Sequence, residues 1–515
     1  MASTKSDGIP QHPPTYWGLI TERAAATPDT VLLEDEAGRS LTVAQYRDEA
    51  ERVAAGLHTE GVGAGTNVSW QLPTAIDTLV LLAALSRLGA VQSPIIPILR
   101  EREVRYITAE ARTELLIVRP QWRAFDYEAL ATSVADEIGF RVLATDVLPT
   151  GDPSTLPPVP GPEPTARWLY YTSGSTSDPK GAWHTDPSVM AGANTWLDKL
   201  EPTADDVYPV AFPMAHIGGV CMLGVALVTG MRLVLIEAFD AERSPLFMAE
   251  RGATMLGSAL PFFQAYLAAQ RAHGPERLFP HLRACVSGGA PKPPGLHDEI
   301  KETLGGVGVI GSWGLTEFPI ATSGSFADTD EQMSATEGAA GPGIAMRVAG
   351  LDGLDVPPGE EGELRLRGPN MFLGYANPAL DADALDEQGF FRTGDLGIVA
   401  PTGHVTITGR LKDIIIRNAE NIAASEIEDA LHLHPAIADV AVIGLPDPRT
   451  GERACAVVKL ADGVTSLSLV EIAEHCRELG LAKQKVPEQL EIVDEVPRNA
   501  MGKIQKPVLR KQFGG

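Results

Sequence analysis

The sequence predicts an α/β protein with a large N-terminal domain of layered α/β subdomains, residues 1–409, and a small α+β C-terminal domain, residues 410–515. Three observations carry this. Short apolar runs alternate with segments of helical periodicity, the pattern of a mainly parallel α/β sandwich. The 515 residues exceed what one hydrophobic core usually supports. After Gly409 the pattern changes to a compact mixture of strands and capped helices of ordinary domain size.

The elements follow in order. Thr42 and Gln45 have the spacing of a capping box. Val43, Tyr46, Ala50, Val53 and Leu57 then recur at helical spacing, and Gly61 follows the end. Residues 67–72, 115–118, 232–236 and 283–287 read as strands. Residues 148–165 are rich in proline and predict an irregular surface connector. Residues 168–171, WLYY, then read as a buried strand. Residues 217–231 are apolar but fall short of the ~20 residues a membrane span needs, which predicts a buried helix. Beyond Gly409, Ser425 and Glu428 read as a capping box opening a helix that stops at Pro435. Residues 439–443, 454–460 and 489–493 read as strands. Ser468 and Glu471 cap a further helix, with Ile472, Cys476 and Leu479 on one face and Gly480 at its end.

The net charge of −25 argues against broad binding to nucleic acid or to anionic membranes. Positive charge for a polyanionic ligand then has to be concentrated locally, and the C-terminal tail suits that need: Arg498, Lys503, Lys506, Arg510 and Lys511 all follow the last acid, Glu495. The 4 cysteines, Cys221, Cys285, Cys455 and Cys476, are scattered with no C-x-x-C, which predicts buried free thiols in a reducing compartment. The first residues, MASTKSDGIPQHPP, have no apolar core and do not read as a signal peptide. A cytoplasmic protein is expected.

Residues 171–181, YTSGSTSDPKG, form a loop of small and hydroxyl residues ending in Lys180. Its backbone N–H groups can approach phosphate oxygens closely, and the lysine adds a point charge. It is not a Walker A loop. Gly306, Gly308 and Gly311 satisfy G-x-G-x-x-G but do not open an amphipathic helix, so a dinucleotide fold is rejected. The sequences GSWGLTE (311–317), FRTGD (391–395), GRLKD (409–413) and PRNAMGK (497–503) follow in that order. With the loop, they resemble the adenylate-forming superfamily of acyl-CoA synthetases, luciferase-like enzymes and adenylation domains, and most of all the acid:CoA ligases.

The resemblance implies roles residue by residue. Thr172, Ser173, Gly174, Ser175, Thr176 and Lys180 would hold the β- and γ-phosphates of ATP, with Ser177 standing where the family usually has glycine. Glu317 would bind Mg²⁺ and Thr316 would contact the α-phosphate, a carboxylate count that suits Mg²⁺. Trp313, where a tyrosine is commoner, would stack on adenine, flanked by Ser312 and Gly314. Gly289, Ala290 and Pro291 would border its other face. Asp395 would accept from the ribose hydroxyls and Arg410 would make a second ribose or phosphate contact. Lys503 would bridge the attacking carboxylate and the α-phosphate. Lys412 would be the hinge about which a mobile C-terminal domain rotates between two half-reactions. Arg417, Asn418 and Ala419 would line the tunnel for CoA, with Ala419 standing where most relatives have glycine.

The segment from Phe212 to Gly219 resembles the acyl-pocket motif, with His216 as a gate and Ile217, Gly218 and Leu315 as walls. Ile217 stands where amino-acid activators carry an aspartate, and an apolar side chain cannot pair an ammonium. A hydrophobic acid is therefore expected: medium-chain, alicyclic, aryl or steroid-derived. The expected reaction is formation of an acyl-adenylate from a carboxylic acid and ATP with Mg²⁺, then transfer to CoA. Two other readings stay open. One is loading of a carrier-protein thiol. The other is a non-catalytic nucleotide-binding homologue, suggested by Ser177 and Ala419. The expected partners are small molecules, with no nucleic acid and no integral membrane association, and a homo-oligomer is compatible with the sequence.

Overall fold

The computed structural model describes residues 12–161, 163, 165–172, 179–289, 292–350, 352–417, 420–498 and 503–514. Thr42 closes the expected capping box with Gln45 and opens the helix Val43–Thr59, which buries Val43, Tyr46, Ala50, Val53 and Leu57. The helix Ile217–Thr229 is apolar all round and is correspondingly buried within the largest core cluster. No helix among the described residues is long and apolar enough to cross a membrane. All 4 cysteines are buried and free.

Among the described residues, four sheets of four or more strands and one two-stranded hairpin, Gln121–Trp122/Phe125–Asp126, build the large N-terminal domain. A seven-stranded sheet runs in the order Gly374–Tyr375, Gly181–His184, Trp168–Tyr171, Val91–Pro94, Asn67–Gln71, Leu115–Val118, Arg141–Ala144. Its strands from Trp168–Tyr171 onward pair in parallel, while Gly181–His184 is antiparallel to both of its neighbours. A five-stranded sheet contains Met255–Ser258, Ala284–Gly288 and Val309–Trp313 in parallel, and a four-stranded sheet is formed around Val31–Asp35. The fourth sheet, Ala345–Ala349, Gly362–Arg367, Phe391–Val399 and Val405–Arg410, is antiparallel throughout. A mainly parallel sandwich does not include it. Short turns connect two of its strands, with Gly403 at φ 84 between Val399 and Val405, so no crossover helix announces it in the sequence.

The smaller C-terminal domain follows the strand Val405–Arg410 and opens on a single 3₁₀ turn, Leu411–Asp413. Its five-stranded sheet is centred on the long hairpin Ile437–Asp447/Gly451–Leu460, which is longer than the two expected strands. The helices Ala424–His432 and Leu469–Glu478 cover one face through Ile427, Leu431, Ile472 and Cys476.

Four expectations need correction here. Ser425 and Glu428 do not form a capping box. The N-cap is Ala423, the Ser425 hydroxyl donates to the Thr408 carbonyl, and Glu428 accepts from the Val442 N–H at 2.7 Å. The helix also ends at His432, before Pro435. Leu479 is 44% exposed rather than on the buried face, because the helix has already closed at Glu478 and Gly480 turns the chain at φ 79. The Ser468–Glu471 capping box forms as read. The basic tail is not a free reservoir of charge either. Arg498 pairs with Asp439 at 2.8 Å, Lys506 with Glu428 at 2.8 Å and Arg510 with Asp413 at 2.9 Å, all inside the small domain.

Candidate active site

The phosphate-loop segment connects two antiparallel strands, Trp168–Tyr171 and Gly181–His184. Its neck is closed by two hydrogen bonds: the Thr172 N–H donates to the Lys180 carbonyl at 2.9 Å, and the Lys180 N–H donates to Thr172 Oγ1 at 3.2 Å. Ser173, Gly174, Ser175, Thr176 and Ser177 lie outside the described residues, as do Ala290, Pro291, Asn418 and Ala419. The Lys180 ammonium lies 5.2 Å from the centre of the Tyr375 ring.

Thr316 and Glu317 sit in a tight turn that follows the strand Val309–Trp313. Leu315 and Phe318 exchange backbone hydrogen bonds at 3.1 Å. Gly314 permits the turn, since a Cβ there would lie 2.5 Å from the Ile320 nitrogen. Ile320 closes it at φ 46, a conformation that costs a β-branched residue on the order of 1–3 kcal/mol. Three groups brace the turn from outside. His184 Nε2 donates to the Thr316 carbonyl at 2.8 Å, the Phe372 N–H donates to the Glu317 carbonyl at 2.9 Å, and the Tyr375 hydroxyl donates to Glu317 Oε1 at 2.7 Å. Burial lowers His184 to about 4, which keeps the ring neutral.

Asp395 is 3% exposed and both of its oxygens are engaged. Trp313 Nε1 donates to Oδ2 at 2.9 Å, and Arg410 Nε donates to Oδ1 at 2.8 Å across the register that pairs the two residues. The Trp313 ring belongs to a buried cluster with Phe318, Phe372 and Tyr375, and Leu315 packs against its edge. The Ser312 hydroxyl is likewise committed inside the fold, donating to the Thr322 carbonyl at 3.0 Å and accepting from Trp196 Nε1 at 3.1 Å. Gly289 adopts φ 80, with no atom within 4 Å of where a Cβ would stand.

Lys503 reaches this group from the small domain. It is lowered to about 8, first by burial and then by Arg410 and Lys412, with Asp395 and Glu317 opposing them. Lys503 in turn acts on His216, which is lowered to about 4, chiefly by burial. The His216 ring caps the helix Ile217–Thr229: the Gly218 N–H donates to its Nδ1 at 3.2 Å, which leaves the proton of the neutral ring on Nε2. Ile217 is 3% exposed and Gly218 is buried beside it. Lys412 lies in the turn between the two domains, where burial and then Arg410 lower it.

Lys503, Glu317, Asp395, Arg410, Lys412 and His216 are therefore drawn into one electrostatic neighbourhood from five separate stretches of chain. Arg417 is outside it, held bidentate by Glu488 at 2.9 Å through both Nε and Nη2. Sequence reasoning missed Tyr375, His184 and Thr74. Thr74 Oγ1 donates to the Phe212 carbonyl and accepts from the Met214 N–H, each at 3.1 Å, tying down the segment that leads to His216. None of the three belongs to the segments that carry the family resemblance, and each acts through a backbone or side-chain partner far away in sequence.

The donor set fits Mg²⁺. The ion takes one or two carboxylates together with phosphate oxygens and water, and Glu317 is a 7% exposed carboxylate oriented by a neutral hydroxyl. Among the described residues no group of three or more His, Cys, Asp or Glu is placed to hold a metal.

Residues 20–376 match the AMP-binding enzyme family, and residues 426–503 match the AMP-binding enzyme C-terminal domain. The chain is 30% identical to the medium-chain fatty-acid–CoA ligase of Escherichia coli K12, over 97% of this chain and 90% of the relative. It is 33% identical to the sulfoacetate–CoA ligase of Cupriavidus necator, over 96% of each. ATP-bound MatB from Rhodopseudomonas palustris superposes with a TM-score of 0.86 at 28% identity, covering 97% of this chain and 99% of that one. With both matched regions in order along one fold, the chain belongs to the AMP-binding enzyme family of adenylate-forming enzymes.

Proposed function

We propose that this protein is an AMP-forming acid:CoA ligase that activates a hydrophobic carboxylic acid with ATP and Mg²⁺ and transfers the acyl group to CoA. The observation that carries the reading is the convergence of Lys503 with Glu317, Asp395 and Arg410 across the two domains. In the first step a carboxylate oxygen attacks the α-phosphorus of ATP and pyrophosphate leaves, with no proton transferred. Two anions have to meet, so the task is one of positioned positive charge. Lys503 supplies it from the small domain, Lys180 at the neck of the phosphate loop and Arg410 beside the ribose-binding Asp395. Thr316 contacts the α-phosphate, and the neutral His216 borders the acyl group. Mg²⁺, when bound at Glu317 with the phosphates, neutralises charge on their oxygens. In the second step the CoA sulfur attacks the acyl carbonyl, its proton passes to solvent and AMP leaves. Lys412 is the hinge for the rotation that this second step requires.

The two CoA ligases above act on acids as different as a medium-chain fatty acid and sulfoacetate, so the acyl choice rests on this chain's own pocket. Ile217, apolar and buried at the start of its helix, offers no partner to an ammonium or a second acid group, and burying an unpaired charge is costly. The test is pyrophosphate release over a panel of hydrophobic, amino and dicarboxylic acids, with and without CoA. Release with hydrophobic acids and consumption of free CoA is expected. Preference for amino acids over every hydrophobic acid sinks the pocket reading. Pyrophosphate release without any use of CoA moves the acceptor to a carrier-protein thiol, and no release with any acid points to a non-catalytic homologue.

A further inference from the structure

We propose that Tyr375 is a positioning residue that couples the phosphate-loop lysine to the metal carboxylate, its hydroxyl orienting Glu317 and its ring face holding Lys180. This rests on the reading of Glu317 as the Mg²⁺ ligand and of Lys180 as a phosphate contact. Tyr375 is 7% exposed and lies on the short strand Gly374–Tyr375, which pairs with Gly181–His184 so that Tyr375 stands opposite Ala182. That register puts it opposite a position two residues beyond Lys180, which immediately precedes the neighbouring strand. Its N–H donates to Asp381 Oδ1 at 2.8 Å, and its ring packs edge-on against Phe372 with centroids 4.9 Å apart, so neither backbone nor ring is free to swing. From this fixed position the hydroxyl donates to Glu317 Oε1 at 2.7 Å, while the ammonium of Lys180 lies 5.2 Å from the ring centre. One side chain thus touches both charged groups that would grip a metal–nucleotide pair, although 195 positions separate Lys180 from Tyr375 in the chain.

The chemistry favours positioning over catalysis. A phenol hydroxyl at 2.7 Å from a carboxylate oxygen acts as the donor of that bond, since the carboxylate can only accept. A donor on Oε1 restricts rotation of the carboxylate that would hold the ion, as outer partners of metal ligands generally do. The ring contact adds a cation–π attraction to Lys180.

Tyr375→Phe keeps the ring and removes only the hydroxyl, and Tyr375→Leu removes both. The readout is Mn²⁺ affinity measured by electron paramagnetic resonance in the presence of α,β-methylene-ATP, beside nucleotide affinity in EDTA. Tyr375→Phe should weaken Mn²⁺ about tenfold, the scale of one hydrogen bond to a charged group, with metal-free nucleotide affinity and melting temperature unchanged. Tyr375→Leu should lose metal-free nucleotide affinity as well. Glu317→Gln separates the two layers of the argument. If it leaves Mn²⁺ affinity intact, the metal reading of Glu317 fails. If it abolishes the affinity while Tyr375→Phe does not change it, the positioning role is overturned. An equal loss of metal and metal-free binding in Tyr375→Phe also overturns it, since that is what general disturbance of the fold produces.

Discussion

The turn that carries Glu317 and the lysine of the small domain that feels its charge are held in opposite ways. The turn is pinned by His184, Phe372 and Tyr375, all from the large domain, and is closed by a strained Ile320. Lys503 comes from the small domain, and its ammonium is disfavoured where it sits, by burial and by Arg410 and Lys412. Its basic neighbours in sequence, Arg498, Lys506 and Arg510, pair with acids of the small domain. A fixed floor under a cation held against its own preference is what an enzyme needs if one charged group is to be present for one step and withdrawn for the next.

The sharpest way to break the comparison is to remove the lysine. Lys503→Ala should lower the rate of acyl-adenylate formation by about 10²–10³ and leave thioester formation from a supplied acyl-adenylate largely intact. Single-turnover measurement of both half-reactions checks this, and an equal loss in both contradicts the division of labour. Damage to the floor should behave in the other way. Gly314→Ala pushes a methyl against the Ile320 backbone, with an expected cost of about 1–3 kcal/mol of stability. It should depress both half-reactions together, read as a lower melting temperature and parallel losses.

The pH profile sharpens the contrast without a mutation. Lys503, lowered to about 8, must be protonated to stabilise two meeting anions, so its active form is present below that value and lost as pH rises through it. The kcat/KM for pyrophosphate release should fall about tenfold per pH unit on the alkaline side. Lys412→Met removes one of the cations that depress Lys503 and should move this limb to higher pH. The smallest effect is expected outside the convergence. Arg417 pairs with Glu488 near the surface, with side-chain exposures of 20% and 32%, so Arg417→Ala should change stability by less than about 1 kcal/mol. A rise in KM for CoA in that variant, with adenylation unchanged, would support a place for Arg417 in the CoA path.

Local features of the fold were readable because their causes are local. The capping boxes at Thr42 and Ser468 need only four consecutive residues, and both form. The apolar runs that became Asn67–Gln71, Leu115–Val118 and Arg232–Leu235 carry their burial in their own composition. The capping box at Ser425 has the same spacing and fails, because Thr408 and Val442 compete for its two side chains from other strands. The antiparallel sheet from Ala345 to Arg410 escaped for a similar reason: strand direction is a relation between segments.

By itself the sequence determined the fold class, the order of the adenylate-forming motifs and the residue types that phosphate, Mg²⁺ and carboxylate chemistry require. Only the tertiary structure decided which charges face one another. It spent three of the tail's cations on acids of the small domain, brought Lys503 beside Glu317 and Asp395, and set Tyr375 between Lys180 and Glu317. The physical reason is range. A cap or a buried strand is settled among neighbours in the chain, whereas the energy of a charge depends on distance and desolvation, which are defined only once remote segments have packed together.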